Sequence, residues 1–142
     1  MAKYPVAGNS YIEVDDSGGT PRNLSAYVEE VGPLGQEGSF LDVTGLNDTA
    51  QRVISGVGPG QELVLRGAFD DTATTGPDAV LSGIVGKTGT VSYGPAGNSS
   101  GLRKITGEFL CLSYRVISKV GDQVRFEARF KQDNAITLTT WP

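Results

Sequence analysis

Leu102–Gln132 reads LRKITGEFLCLSYRVISKVGDQVRFEARFKQ, and its reading decides the fold. Leu110, Leu112, Tyr114 and Val116 alternate with Phe109, Cys111 and Ser113. Beyond a turn at Gly121-Asp122, Val124, Phe126, Ala128 and Phe130 alternate with Arg125, Glu127, Arg129 and Lys131. Period-two alternation of an apolar with a charged face marks a half-buried antiparallel strand. The stretch therefore reads as one long β-hairpin, with Leu112, Tyr114, Val124, Phe126 and Phe130 as its expected core positions. The first arm is apolar on both faces around Phe109–Leu112 and is expected to cross a sheet interior. A hairpin of this length needs further sheet, or a helix, against it.

The rest of the chain offers that cover. Short strands are expected at Ser10–Val14, Leu24–Val31, Phe40–Thr44, Glu62–Phe69, Thr90–Tyr93 and Ile136–Thr140. Within Leu24–Val31 the alternative is one helical turn capped by Asn23 or Ser25. The cluster Asp15–Pro21 reads as a turn by composition. One helix is expected after Gly76, with Pro77 at its first position, Asp78 in its first turn and Gly86 past its end. Val80, Leu81, Ile84 and Val85 form its stripe, and a helix this short must lie on the sheet through that stripe to persist. The expected fold is mainly β: two packed antiparallel sheets, as a sandwich or barrel, with one short flanking helix. The 142 residues fit a single domain, 1–142, with 1–9 as a flexible N-terminal arm. The 20 glycines suit many strands joined by tight turns.

Several chemistries find no support. The chain has no histidine, which removes the commonest general base and metal ligand. Its single cysteine, Cys111, sits in the most apolar part of the hairpin and reads as a small core hydrophobe. Gly86-Lys87-Thr88 ends like a phosphate-binding loop, but Leu81 stands where that motif needs glycine, and the helix precedes the lysine instead of following it. Gly56, Gly58 and Gly60 lead into a strand, so a dinucleotide fingerprint fails on context. Asp15, Asp16, Asp70 and Asp71 match no cation-loop spacing and read as turn acids. Three glycosylation triplets, at Asn23, Asn47 and Asn98, read as turn residues, because the N-terminus carries no basic-then-apolar export segment. No apolar run is long enough for a membrane span. No enzymatic activity, cofactor or metal is expected. The net charge of −4 argues against tight binding to phosphates, although it permits nucleic acid to pass. Arg125, Arg129 and Lys131 on one strand face stand against that trend. Pairing with acids on a neighbouring strand or subunit is the preferred reading, and contact with DNA the other.

Gly45–Gly60 is long for a connection inside a compact domain. Val53, Ile54 and Val57 make it too apolar for a linker, and Asp48 and Arg52 place opposite charges one helical turn apart. These five residues form a candidate inter-subunit loop. The alternative is that the segment folds back over its own sheet.

The order of segments carries a resemblance. Tyr11–Val14 is followed by Leu24–Val28, Leu41–Thr44, Asp48–Arg52, Leu65–Asp71, the helix Ala79–Val85, Tyr93-Gly94-Pro95 and Ile105–Phe109. This layout resembles the tail tube (major tail) proteins of phages with long, non-contractile tails, over residues 10–138. The resemblance implies hexameric rings that stack into a tube through which DNA passes. It implies self-association, with tape-measure, tail-terminator and tail-tip proteins as partners, and assembly in the host cytoplasm into a virion. It implies no catalytic residues. Two alternatives stay open: a related tube component (contractile-tail inner tube, type VI secretion tube or tail-tip ring), and a monomeric β-sandwich binding module.

Overall fold

The computed structural model describes residues 3–5, 7–56, 58 and 60–142. The chain is mainly β, with ten strands and one short helix among the described residues. In chain order these are β1 (Tyr11–Asp15), β2 (Pro21–Asn23), β3 (Val28–Val31), β4 (Phe40–Asp42), β5 (Val53–Ser55), β6 (Glu62–Ala68), α1 (Pro77–Ser82), β7 (Thr88–Gly94), β8 (Arg103–Ile117), β9 (Arg125–Gln132) and β10 (Thr137–Thr140). They form two antiparallel sheets. The larger runs β2-β1-β7-β8-β9-β6-β3, with β10 beside the N-terminal half of β8, and the smaller is the pair β4-β5.

The larger sheet is forced to curl. Its two edge strands, β2 and β3, are joined by residues 24–27 alone. Seven strands laid flat would separate those edges by roughly 29 Å at ~4.8 Å per strand. The link from Asn23 to Val28 reaches at most about 18 Å at ~3.6 Å per residue. It reaches less here, because Tyr27 and Val28 both donate to Leu24 O at 3.0 Å, a single helical turn. Asn23 Oδ1 accepts from Ser25 N at 2.9 Å and caps that turn. Leu24 N donates to Ile12 O at 3.1 Å, and Ile12 N donates to Ser25 Oγ at 3.0 Å. These bonds hold the link against β1, and fully buried Leu24 fills the seam between the two edges.

The core lies inside the curl. Phe109, Phe126 and Phe130 are each 1% exposed and pack with Leu63, Leu65, Val91 and the helix residues Val80 and Leu81. Helix α1 begins as its sequence dictates, with Gly76 extended at the N-cap and Pro77 in the first turn. It stops at Ser82, before the expected end, and residues 83–86 turn until Gly86 takes a left-handed φ of 80°. That early stop corrects the predicted stripe: Val80, Leu81 and Ile84 are buried, whereas Val85 turns out and is 44% exposed.

The long hairpin forms, but its phase changes partway. Phe109 pairs with Gln132 and Cys111 with Phe130, after which Ser113 pairs with Arg129 and Tyr114 with Ala128. The slip between Cys111 and Ser113 is a β-bulge: one extra residue in β8 moves every later side chain to the other face. Phe109 and Cys111 point inward before the bulge, and Tyr114 and Val116 lie opposite core residues of β9 after it. Leu112 is therefore not a core residue, at 48% exposed. Val124 is also corrected: it precedes β9, and although its carbonyl accepts from Phe69 N at 2.9 Å its side chain is 41% exposed. Tyr114 is half-buried, and its hydroxyl donates to Asp78 Oδ1 at 3.0 Å, tying β8 to the first turn of the helix.

Two measurements check this arrangement. In urea melts, Phe126→Ala is expected to lower stability by about 3–5 kcal/mol through lost burial and a cavity, and Leu112→Ser is expected to leave it nearly unchanged. Equal losses would mean that the bulge is misplaced. Burial first, and then the bond to the Asp78 carboxylate, raise the Tyr114 hydroxyl above its ordinary pKa of 10.0. Its neutral form is thus favoured in the fold, and that contribution is complete below about pH 10 and is lost as pH rises further. Tyr114→Phe should cost about 0.5–1.5 kcal/mol near neutrality and flatten the fall in stability on the alkaline side.

Candidate inter-subunit surface

The segment flanked by β3 and β6 is built, not irregular. β4 and β5 pair in register, Phe40 with Ser55, Leu41 with Ile54 and Asp42 with Val53. The ladder is extended by Val43 N to Arg52 O and Gly56 N to Ser39 O, both 2.9 Å. Its tip is fastened by side chains. Asp42 Oδ1 accepts from Thr44 N at 2.9 Å and from the Thr44 hydroxyl at 2.6 Å, which holds the Asp42 carboxyl below the usual carboxylate range. Thr44 Oγ1 accepts from Arg52 N at 3.0 Å, and Asp48 Oδ2 accepts from Gly45 N at 2.6 Å. Asp48 and Arg52 form an ion pair at 3.7 Å. Val57 lies outside the described residues.

Among the described residues this hairpin pairs only with itself, and it carries apolar side chains into solvent. Val53 and Ile54 are each 52% exposed, Phe40 62%, Leu41 56% and Leu46 107%. Sequence reasoning placed Val53 and Ile54 here but missed Phe40, Leu41, Val43 and Leu46. Their signal is the run Phe40-Leu41-Asp42-Val43, a strand without clean alternation that no core claims. A tethered apolar hairpin with a hydrogen-bonded tip is suited to docking, since exposed apolar clusters of this kind mark interaction surfaces.

The arginines of the basic stripe of β9 are neutralised within the chain. Register places Arg66 of β6 opposite Glu127 of β9 and Glu30 of β3 opposite Arg66. A chain of ion pairs follows: Glu30 to Arg66 at 3.4 Å, Arg66 to Glu127 at 3.0 Å, Glu127 to Arg129 at 3.0 Å and Arg129 to Glu62 at 2.7 Å. Arg125 pairs with Glu29 and, at 3.2 Å, with Asp122. Lys131 Nζ donates to Gly60 O at 2.9 Å. The opposite part of the sheet carries acids instead. Burial, together with Glu108, Glu13 and Asp16 nearby, raises the Asp15 carboxyl above its ordinary value.

Among the described residues no group of three or more His, Cys, Asp or Glu side chains is placed to hold a metal ion, and no helix is long and apolar enough to cross a membrane. An open groove of about 560 Å³ follows the seam of the curled sheet, lined in part by Tyr11, Ile12, Val28, Val31 and Tyr93. Its two acids, Glu29 and Glu30, are already engaged with Arg125 and Arg66.

No protein-family model matches the chain, and no curated protein matches it by sequence. Solved structures match it from end to end. A chain from the tail of an empty gene transfer agent (GTA) particle, determined with C6 symmetry, superposes with a TM-score of 0.72 at 17% identity, covering 98% of this chain and 100% of that one. The fold is the one seen in tail and injection-tube particles. A chain from the sheath/tube terminator of an extracellular contractile injection system matches with a TM-score of 0.70 at 12% identity, over 99% and 100% of the two chains. A chain from the sheath-tube complex of such a system gives 0.66 at 13% identity, over 98% and 94%. The likeness thus extends to contractile systems and is not confined to the non-contractile tails of the sequence resemblance.

Glu127, at the centre of the ion-pair chain, offers a test of that face. The Arg66 guanidinium, then Arg129, holds its carboxyl below the ordinary 4.5. A lowered folded pKa contributes stability above about pH 4.5 that is lost as pH falls. Glu127→Gln is expected to lower stability near neutrality and to flatten the acid limb of the curve. An unchanged acid limb in urea midpoints measured across that range would show the pairs to be energetically silent.

Proposed function

We propose that this chain is the building block of a phage-type tail tube. Six copies close a ring, rings stack into a tube, and DNA passes through the lumen to the host. The self-assembled tube is a structural part of the virion, built in the host cytoplasm around a tape-measure protein and bounded by tail-terminator and tail-tip proteins. The chain has no catalytic role. The observation that carries this reading is the match to a chain of a six-fold symmetric tail, which covers 98% of this chain and 100% of that one. Three features of the chain support it. The β4-β5 hairpin presents an apolar surface that a monomer has no use for. The arginines of β9 are matched by acids of β3, β6 and β9 itself, so this face offers phosphates few open cations and does not retain a polyanion. The two acids of the seam groove, Glu29 and Glu30, are held by Arg125 and Arg66.

A second reading, the tube or tube-end component of a contractile system, draws on the match to a sheath/tube terminator at nearly the same TM-score. Both readings require self-assembly, whereas a monomeric binding module does not. In light scattering and negative-stain microscopy the purified chain is expected to form rings or tubes as concentration rises, burying on the order of 2,000 Å² or more per interface. Persistent monomers at high concentration would favour the binding module. Replacing Phe40–Ser55 with a short Gly/Ser linker should leave a cooperative β-type melt and abolish tubes. Tubes that still form would remove the hairpin from the interface, and an unfolded chain would mean that the hairpin belongs to its own core.

A further inference from the structure

The hairpin needs a surface to dock on, and the chain itself offers one. The turn between β8 and β9 is the second place where apolar side chains gather in solvent. Val116 is 47% exposed, Ile117 52%, Val124 41%, and Val120 is fully exposed at 102%. None of them was singled out as an exposed surface by the sequence pattern, because the alternation of the strands simply runs on into the turn.

The two surfaces lie at opposite ends of one ladder. β6 begins where the β4-β5 hairpin returns, with Glu62 opposite Lys131, and it ends with Ala68 opposite Arg125, next to the β8-β9 turn. Six residue steps of strand separate these ends, roughly 20 Å at ~3.4 Å per residue.

Their charges are complementary as well. In the hairpin segment Arg52 is taken by Asp48, which leaves Glu37 and Asp42 without a cationic partner among the described residues. At the β8-β9 end Asp122 is taken by Arg125, which leaves Lys119 of the turn and Arg115, near the end of β8 and opposite Glu127 in register, without an ion-pair partner among them. One end therefore presents apolar side chains with two carboxylates that lack a cation, Asp42 among them held by Thr44, and the other presents apolar side chains with two cations that lack a carboxylate. Matched potentials of this kind select a partner and its register.

We infer that the β4-β5 hairpin of one copy docks on the β8-β9 turn of a second copy. The inference rests on the tube reading and names the surface that receives the hairpin. A hairpin-to-hairpin contact would be isologous: it would close as a dimer, set like charges against each other and leave the β8-β9 turn uncovered. A head-to-tail contact covers both apolar surfaces at once. Because they sit at opposite ends of the ladder, it also leaves a fresh hairpin and a fresh turn exposed for the next copy, which is the condition for open-ended growth.

The test uses two single substitutions of the full chain, Leu46→Cys and Val120→Cys, at positions 107% and 102% exposed, where folding is not at stake. Native Cys111 is 1% exposed and stays silent in the fold. The two variants are mixed, allowed to assemble and treated with a short bis-maleimide, and the products are mapped by mass spectrometry. The expected result is a 46–120 cross-link between chains in the mixture and little product from either variant alone. A further variant, Arg115→Glu with Lys119→Glu, should lose tube formation while keeping its melt. Tubes that give only 46–46 or 120–120 products, or no product, would overturn the docking and leave the tube reading standing, as would tubes formed unimpaired by the charge-reversed variant. Wild-type chain that stays monomeric would overturn the tube reading and the docking with it.

Discussion

The fold depends on one short tether. Residues 24–27 join the first and last strands of the seven-strand path, six spacings apart, and their reach is too small for any flat arrangement. Curling follows, and with it the enclosed core of three phenylalanines, Leu63 and Leu65. The tether also accounts for the fully buried Leu24: a four-residue link whose amide is bonded to Ile12 directs that side chain into the seam. The close approach of Gly67 belongs to the same constraint. A Cβ there would stand 2.1 Å from Tyr27 O, so β3 can lie on β6 just after the tether only because residue 67 has no side chain.

A curled sheet makes its long sides and its ends behave differently. β6 and β9 are in register, and past a slip between Val28 and Glu30 β3 sets Glu30 opposite Arg66, so acids and bases on the outer face meet across the ladder and neutralise one another. Exposed pairs of this kind add little stability, typically 0–1 kcal/mol each, but they leave the face with few open cations. At the ends the strands run past the core, and the side chains that alternation would direct inward have nothing to pack on. Most of the exposed apolar side chains therefore fall at the β4-β5 hairpin and at the β8-β9 turn, with Leu112 of β8 and Leu138 of β10 exposed on the walls.

Parts of this were legible in the sequence because they are local. Alternation at Val124–Lys131 identified the strand that carries Phe126 and Phe130, both 1% exposed in the fold, and Gly76-Pro77 marked the helix start at the residue where it occurs. Opposite charge at 48 and 52 pointed to an ordered turn, and that turn closes with an ion pair. The misreadings come from extrapolating a period through a place where it breaks. Leu112 was assigned to the core by continuing a period of two across the bulge after Cys111, and Val85 by continuing the helical period past Ser82. A bulge has no composition of its own here; it arises because β8 must keep Phe109 and Cys111 inside beside β7 and then place Tyr114 beside the helix.

What the sequence determined by itself was the inventory: antiparallel strands with their turns, one short helix, a core drawn from the hairpin, and a chain with no histidine and one cysteine, Cys111, set among hydrophobes. Each follows from neighbours within a few residues, where backbone geometry and side-chain period act directly. Tertiary structure alone decided which strands meet, that β2 and β3 become the two edges and that β4 and β5 leave the sheet to pair together. It also decided that Arg66, Glu127 and Arg129 neutralise one another, and that the free charges and apolar side chains of Phe40–Ser55 and the β8-β9 turn fall at opposite ends. Those outcomes depend on contacts between residues far apart in the chain, and a pattern read along one strand carries no information about the strand that will lie beside it.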